Sequence, residues 1–591
     1  MIHYDRGYHQ NMPVFTLVLQ IALLGCLSLS ELTIYSSLVR AIFQPLEPSK
    51  FGSSASRETD LKPEISKFEL LAQNYPSEPI EPQLEPEPEP IQIFVREIEV
   101  TGSTVFDESD FDPIVAPFEG RELTLEELRQ VADEITQLYI NRGYITSIAR
   151  PVSQRIENGG VEIRVTEGRL SNIEIEGTRR LNPGYIRRRI ELGADVPLNI
   201  QKLEDQLRLL RINPLFNNVE ASLRPGGEVG ESILVVRVEE SRRFFGSVNI
   251  DNYSPPSVGG ERTGINLGFQ NLTGIGDDIA ASYSRSTTGG TDVYDFAYRV
   301  PINAKDGTIL LRVSPNINRV TQEPFDELDI RGTQARYELA YRQPIIRNPR
   351  EELALSLSFA IQNGQTFVFE DVPRPFVIGP DEDGNSRTRV IKLGQDYLRR
   401  DSEGSWSLRS QFNFGIDVFE ATVNDSPIPD SRFFSWLGQV QRVQLVSADH
   451  LVIIRGDLQL TADSLLPAEQ FVIGGGKSVR GYRQNLRTGD NGFRFSIEDR
   501  ITLSRNSAGD PTIQIAPFFE MGSVWNQVDN PNKLPRQTFL VSTGFGFLWD
   551  PFLGVNGMSL RLDYGFPLVD FRDRGDNIQD DGIYFSINYR F

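Results

Sequence analysis

The sequence predicts two α+β repeats followed by an all-β, 16-stranded antiparallel transmembrane barrel with a lumen-inserted loop. Three observations lead there. Two similar units stand one after the other, their opening strands at Ile98 and Ile173. Beyond residue 242 the helical period disappears and short segments alternate apolar with polar. Late in that region one long insertion carries three consecutive glycines and an arginine.

Composition removes several function classes first. The 591 residues hold 60 Lys+Arg against 81 Asp+Glu, a net charge of −21. That balance opposes general nucleic-acid binding, which rests on neutralising phosphates with Lys and Arg. Cys26 is the single cysteine, so no disulfide framework can form within the chain. His3 and His9 lie at the extreme N-terminus, which leaves His450 alone in the body. A His-based metal centre and a His-dependent hydrolase both lack their parts. The reading is a non-enzyme without a cofactor or metal.

The elements follow in order. Residues Gln10 to Ser30 carry no charge and include the apolar stretch Val14–Leu24, with Arg6 upstream and small residues Ser28 and Ser30 behind. This pattern predicts a secretory signal peptide over 1–30. A lipoprotein cut before Cys26 and a retained single-span anchor are the alternatives. Residues 31–90 form a leader that is either disordered or supplies a helix from 31–43 or 62–73. The leader ends in the acidic, proline-rich stretch 76–90. Extended at ~3.1 Å per residue, that stretch reaches on the order of 45 Å.

The first repeat, 91–167, opens with Ile98-Glu99-Val100-Thr101-Gly102 and closes with Val161-Glu162-Ile163-Arg164-Val165. The second, 168–241, opens with Ile173-Glu174-Ile175-Glu176-Gly177 and closes with Leu234-Val235-Val236-Arg237-Val238. Thr124 and Glu127 form a capping box ahead of Leu128, Val131, Ala132, Ile135, Leu138 and Tyr139 at helical spacing. Asn199 caps a helix whose face is Ile200, Leu203, Leu207 and Leu210. Each repeat reads strand–helix–helix–strand–strand.

From 242 to 591, strands are expected to start near residues 243, 262, 276, 292, 307, 332, 351, 388, 404, 431, 449, 491, 511, 536, 556 and 580. Turn pairs or proline separate many of them. In the last, Ile583, Phe585, Ile587, Tyr589 and Phe591 share one face, while Tyr584, Ser586, Asn588 and Arg590 take the other. Phe493, Phe495 and Ile497 likewise oppose Arg494, Ser496 and Glu498. A soluble sandwich also alternates. Arginine on the polar face, aromatics at strand ends and a terminal aromatic on the apolar parity favour a barrel with a wet lumen in a lipid bilayer.

The insertion between about Thr461 and Asn491 holds Gly474-Gly475-Gly476-Lys477-Ser478-Val479-Arg480-Gly481-Tyr482. A phosphate-binding P-loop would need glycine where Phe471 stands, and a helix after it. The loop is instead expected to enter the lumen, where a buried Arg480 requires a carboxylate. Strand parity turns Phe518, Glu520 and Gly522 inward, then Gly544 and Gly546, then Arg561 and Asp563. An inward carboxylate beside inward glycines can receive an arginine-tipped loop.

Val479-Arg480-Gly481-Tyr482 resembles the signature loop of the superfamily joining outer-membrane assembly factors with two-partner secretion transporters. Phe518-Phe519-Glu520-Met521-Gly522 resembles its Phe-x-Asp-x-Gly strand motif, with Glu in place of Asp. Leu562-Asp563-Tyr564-Gly565-Phe566-Pro567 is similar to the penultimate-strand motif, and the end at Tyr589 and Phe591 to the barrel-recognition signal. The repeats look like POTRA domains. Asn141-Arg142-Gly143-Tyr144-Ile145-Thr146-Ser147, then Pro151, Gln154 and Gly160, are similar to the first POTRA of the hemolysin/hemagglutinin secretion subfamily.

The resemblance implies a bacterial outer-membrane translocator with periplasmic POTRAs that exports one large unfolded exoprotein bearing an N-terminal secretion domain. It also implies insertion by the barrel assembly machinery, contact with outer-membrane lipids, and a leader helix able to plug the pore. A barrel-assembly insertase is the alternative, although it usually carries three or more POTRAs. A passive porin would need neither the repeats nor Arg480.

Overall fold

The computed structural model describes residues 92–152, 158–323, 325–369, 371–571 and 577–591. The signal peptide, Cys26, the leader with both helix candidates, the acidic linker and Gln154 lie outside the described residues.

The first repeat contains β1 (Gln92–Val95), β2 (Glu97–Thr101), α1 (Glu108–Val115), β3 (Arg121–Thr124), α2 (Leu125–Asn141), β4 (Ile148–Pro151) and β5 (Gly160–Thr166). The second contains β6 (Arg169–Glu176), α3 (Pro183–Ile190), α4 (Ile200–Arg211), β7 (Phe216–Pro225) and β8 (Glu231–Glu240). In each, the opening strand runs parallel to the last and the intervening strand antiparallel to it, giving orders β2-β5-β4 and β6-β8-β7. An added pairing of β1 with β3 occurs in the first repeat alone and has no counterpart in the expected order.

Local chemistry fixes these elements. The Thr124 hydroxyl accepts from Glu127 N at 3.2 Å, and the Glu127 carboxylate accepts from Thr124 N at 2.8 Å. Leu128, Val131, Ala132, Ile135 and Tyr139 then pack on Ile98, Val161, Ile163 and Val165. Gly102 and Gly177 close equivalent strands at φ +82° and +88°, where a Cβ would strike the carbonyl oxygens of Val165 and Val238 respectively. After each glycine a carboxylate gathers backbone N–H groups. Glu167 accepts from Thr104 N at 2.7 Å, and Glu240 from Arg179, Arg180 and Leu181 N at 2.7–3.0 Å. Burial raises the Glu240 carboxyl, but those N–H groups outweigh it and hold the group below its ordinary value.

Sixteen spanning strands form one closed antiparallel barrel. They are β9 (Phe244–Asp251), β10 (Arg262–Gln270), β11 (Asp278–Ser286), β12 (Thr291–Pro301), β13 (Thr308–Arg319), β14 (Arg331–Arg347), β15 (Glu351–Val368), β16 (Asn385–Arg400), β17 (Gly404–Gly415), β18 (Phe434–Ser447), β19 (His450–Thr461), β20 (Asn491–Arg505), β21 (Pro511–Trp525), β22 (Phe539–Trp549), β23 (Met558–Pro567) and β24 (Ile583–Arg590). Every start falls within three residues of the position expected from alternation. β24 closes onto β9, pairing Ser586–Arg590 with Asp251–Ser247. Gly246 extends the seam, exchanging backbone bonds of 3.1 and 3.3 Å with Phe591.

Leu355, Leu357, Tyr337, Leu339 and Tyr341 lie exposed on the outer face, as a lipid-facing belt requires. The inner face is an Arg–carboxylate lattice that includes Arg262–Asp251, Arg312–Asp295, Arg342–Glu352 and Arg494–Asp457. Short turns such as 348–350 and 401–403 lie on the side of the repeats, and long loops such as 369–384 and 462–490 lie opposite. The repeats therefore mark the periplasmic side.

The second repeat docks on the periplasmic turns. Asn182 N donates to Gly274 O at 2.8 Å. The Arg189 guanidinium stacks on Tyr185, 3.4 Å from the ring centroid, and meets Asp306 at 2.9 Å. Arg347 takes the other Asp306 oxygen at 3.0 Å. Burial pushes the Asp306 carboxyl up, but Arg347 and Arg189 more than offset this and hold it well below the usual carboxylate range.

Candidate functional site

The long loop 462–490 turns into the barrel as a hairpin. Phe471–Ile473 pairs antiparallel with Arg487–Gly489, and Gly474 and Gly475 follow at φ +106° and +96°. A Cβ on Gly474 would stand 3.0 Å from Leu486 N, and one on Gly475 would stand 2.5 Å from Gln484 Cα. Glycine is what lets the two limbs run this close. The root of the loop is tied by buried Asp490, which accepts from Leu465 N at 2.9 Å, Gln527 N at 3.0 Å and Asn530 Nδ2 at 2.8 Å. That one carboxylate joins loop 462–490 to loop 526–538.

At the tip, Val479, Arg480 and Tyr482 are all buried. Arg480 donates through Nε and Nη2 to Glu520 Oε1 at 3.0 and 2.6 Å. Its backbone N donates to the second Glu520 oxygen at 2.7 Å. The longer arm of Glu, in place of Asp, thus reaches both the guanidinium and the main chain of one residue. Nη1 meets Asp563 Oδ1 at 2.8 Å and Glu498 Oε2 at 3.0 Å. The guanidinium plane lies over Phe518, 3.4 Å from the ring centroid. Arg561 bridges Glu498 and Asp563, each at 2.7 Å, and Arg500 meets Glu498 at 2.9 Å. The cluster balances three arginines against three carboxylates. This accounts for so many formal charges being held away from bulk water.

The glycines shape the receptor. A Cβ on Gly544 would stand 2.6 Å from Phe518 Cζ, on Gly546 2.5 Å from Asp563 Oδ1, and on Gly522 2.9 Å from Phe493 O. Tyr482 reaches beyond them, its hydroxyl 2.7 Å from Val541 O and 2.9 Å from Val569 O, with its ring 5.2 Å from Phe571. The structure brings together Val479, Arg480, Gly481 and Tyr482 with Phe518, Glu520, Gly544, Gly546 and Asp563, whereas Gly522 lies against Ile473 in the stem of the hairpin. Tyr589 and Phe591 lie elsewhere, on the outer face at the seam, where Phe591 packs 6.2 Å from Phe244.

Four members of the site were not singled out from sequence, Arg500 beside Glu498 among them. Tyr584 accepts from Gly481 N at 3.0 Å and donates to Tyr482 O at 2.5 Å. Gly565 admits the loop backbone, since a Cβ there would stand 2.5 Å from Gly481 N. Glu498 is the third carboxylate. Alternation places Glu498 and Tyr584 on the inward face, but nothing in the sequence says which inward residues stand at the height of the loop tip.

A closed outer-membrane barrel, periplasmic α+β repeats and a lumen loop held by an arginine define a POTRA–barrel transporter. The haemolysin secretion/activation family ShlB/FhaC/HecB matches residues 230–548, and the ShlB-type POTRA domain matches 93–168. The chain belongs to that family of two-partner secretion outer-membrane transporters. It is 27% identical over 416 residues to the outer membrane transporter CdiB of Escherichia coli, covering 67% of each chain. It is 23% identical to the hemolysin transporter protein ShlB of Serratia marcescens, covering 71% of this chain and 74% of that one. The solved structure of CdiB from Escherichia coli superposes with a TM-score of 0.64 at 23% identity, covering 87% of this chain and 93% of that one.

Proposed function

We propose that this transporter exports one dedicated, large, unfolded exoprotein of the hemolysin/hemagglutinin type, with the POTRA repeats (91–167 and 168–241) receiving its N-terminal secretion domain and the barrel (242–591) forming the pore. The observation that carries this reading is the Arg480-tipped loop seated in the lumen of a barrel whose entrance is faced by a docked POTRA repeat. A pore for small solutes has no use for either feature. Within the described residues, β4 and β7 each pair on one side only, which leaves backbone donors and acceptors for an incoming strand. Backbone pairing would supply affinity, and side-chain pockets would supply choice. The loop would hold the pore wall in its conducting shape. Phe591 would serve as the signal read by the barrel assembly machinery during biogenesis.

The test is deletion of the gene, followed by quantitative mass spectrometry of culture medium and outer membrane. Loss of one large exported protein with other barrels unchanged supports the dedicated transporter. A general fall in outer-membrane barrels replaces it with the assembly insertase.

A further inference from the structure

Loop 416–433, on the extracellular side, leaves β17 in an unusual way. Ile416 N donates to Arg389 O at 2.9 Å, continuing the ladder with β16. In an unbroken ladder the next N–H to meet Arg387 O would belong to residue 418. It belongs to Thr422, at 2.9 Å, and the Thr422 hydroxyl accepts from Arg387 N at 2.9 Å. Four extra residues are therefore looped out of the sheet. Phe419 and Glu420, at the tip, take φ +50° and +59°, a conformation that costs a side-chain-bearing residue energy.

The bulge falls on the lipid side of the wall. The Phe419 ring lies 6.3 Å from that of Phe359. Phe359 shares its strand face with the exposed Leu355 and Leu357 of the outer belt. Arg389 pairs across the ladder with Ile361, two residues further along that same face. An arginine pointing outward at the rim of the belt is unexpected, yet its residue is only 4% exposed. Among the described residues it forms no ion pair. Nε and Nη2 donate to Phe419 O at 3.2 and 2.9 Å, and Nη1 donates to Gln362 O at 3.0 Å and Thr388 O at 2.9 Å. The bulge thus roofs Arg389, and Arg389 fastens the bulge at the carbonyl of its tip residue. Phe419 itself stays 69% exposed, with Val418 beside it.

We propose that the 417–421 bulge is an outer-leaflet anchor, with Phe419 inserted among lipid acyl chains and Arg389 as the residue that positions it. The occupant follows from continuity: the ring extends the apolar belt of Leu355, Leu357 and Phe359 upward without a break. Arg389 meets carbonyl acceptors, which offsets the desolvation of its donors at the membrane rim, while the exposed Asp417 and Glu420 leave the bulge's carboxylates free to stay at the level of the lipid headgroups.

The test uses the full chain in a phosphatidylethanolamine–phosphatidylglycerol bilayer, with Cys26→Ser as background. Phe419→Cys carries a nitroxide, and power saturation is read against molecular oxygen and a water-soluble nickel chelate. Leu357→Cys in the belt supplies the lipid standard. Val528→Cys, 88% exposed on loop 526–538, supplies the aqueous one. The expected result is nickel accessibility at 419 as low as at 357; a value matching 528 overturns the anchor and assigns the ring to the extracellular medium. Adding Arg389→Gln should raise nickel accessibility at 419, with heat-modifiable migration of the barrel confirming its fold. No change would remove Arg389 from the positioning role.

Discussion

Replacing Arg480 is the perturbation whose size the structure sets most directly. Its guanidinium satisfies Glu520 at 2.6 Å, Asp563 at 2.8 Å and Glu498 at 3.0 Å, in a cluster otherwise balanced by Arg500 and Arg561. Arg480→Ala leaves one carboxylate charge uncompensated in a closed site. Breaking a buried pair by removing one partner costs about 3–5 kcal/mol. At ~1.4 kcal/mol per tenfold, the seated loop loses roughly two to three and a half powers of ten in population. Hydrogen exchange of the loop amides in the folded barrel reads this directly, and export of the partner reads its consequence. Arg480→Lys keeps the charge but cannot span Glu520 and Asp563 with a planar fork, so it should fall between wild type and alanine. Glu520→Gln added to Arg480→Ala removes the orphaned charge and should restore part of the protection. Loop protection within tenfold of wild type in Arg480→Ala, with export intact, would refute the reasoning.

Three further outcomes are expected. Gly565→Ala places a methyl 2.5 Å from Gly481 N and should cost about 1–3 kcal/mol of loop seating by overpacking, read as faster loop exchange in a barrel of unchanged heat-modifiability. Tyr584→Phe leaves Gly481 N and Tyr482 O without their partner, at about 1–3 kcal/mol per unsatisfied group, and should raise loop exchange without altering the Arg480–Glu520 pair. Docking of the second POTRA on the barrel should hold from neutral pH down to about pH 5. Because the docked Asp306 carboxyl titrates below its ordinary 3.8, its contribution is complete above that value and is lost only as pH falls through the depressed one. Asp306→Asn should loosen docking at neutral pH, seen as a broadened distance distribution between spin labels on α4 and β14.

Much of this architecture is legible before any coordinates. Period-2 alternation places a strand start within three residues because a spanning strand must show one face to lipid and the other to a wet lumen over its whole length. Thr124–Glu127 and Asn199 mark their helices because capping is decided within a few residues. The inward parity of Glu520 and Asp563 follows in the same local way. The β1–β3 pair was not legible. Two four-residue strands carry too little pattern, and their pairing is set by tertiary packing.

The sequence alone therefore determined which residues face lipid, which face the lumen and that an arginine-bearing loop needs a carboxylate. It could not say which lumenal carboxylates stand at one height. That depends on the stagger of β20, β21, β23 and β24 around a closed sheet, a register fixed by all sixteen pairings together. Only closure brings Glu498, Glu520, Asp563 and Tyr584, spread over more than eighty residues of chain, around the single tip of Arg480 and Gly481.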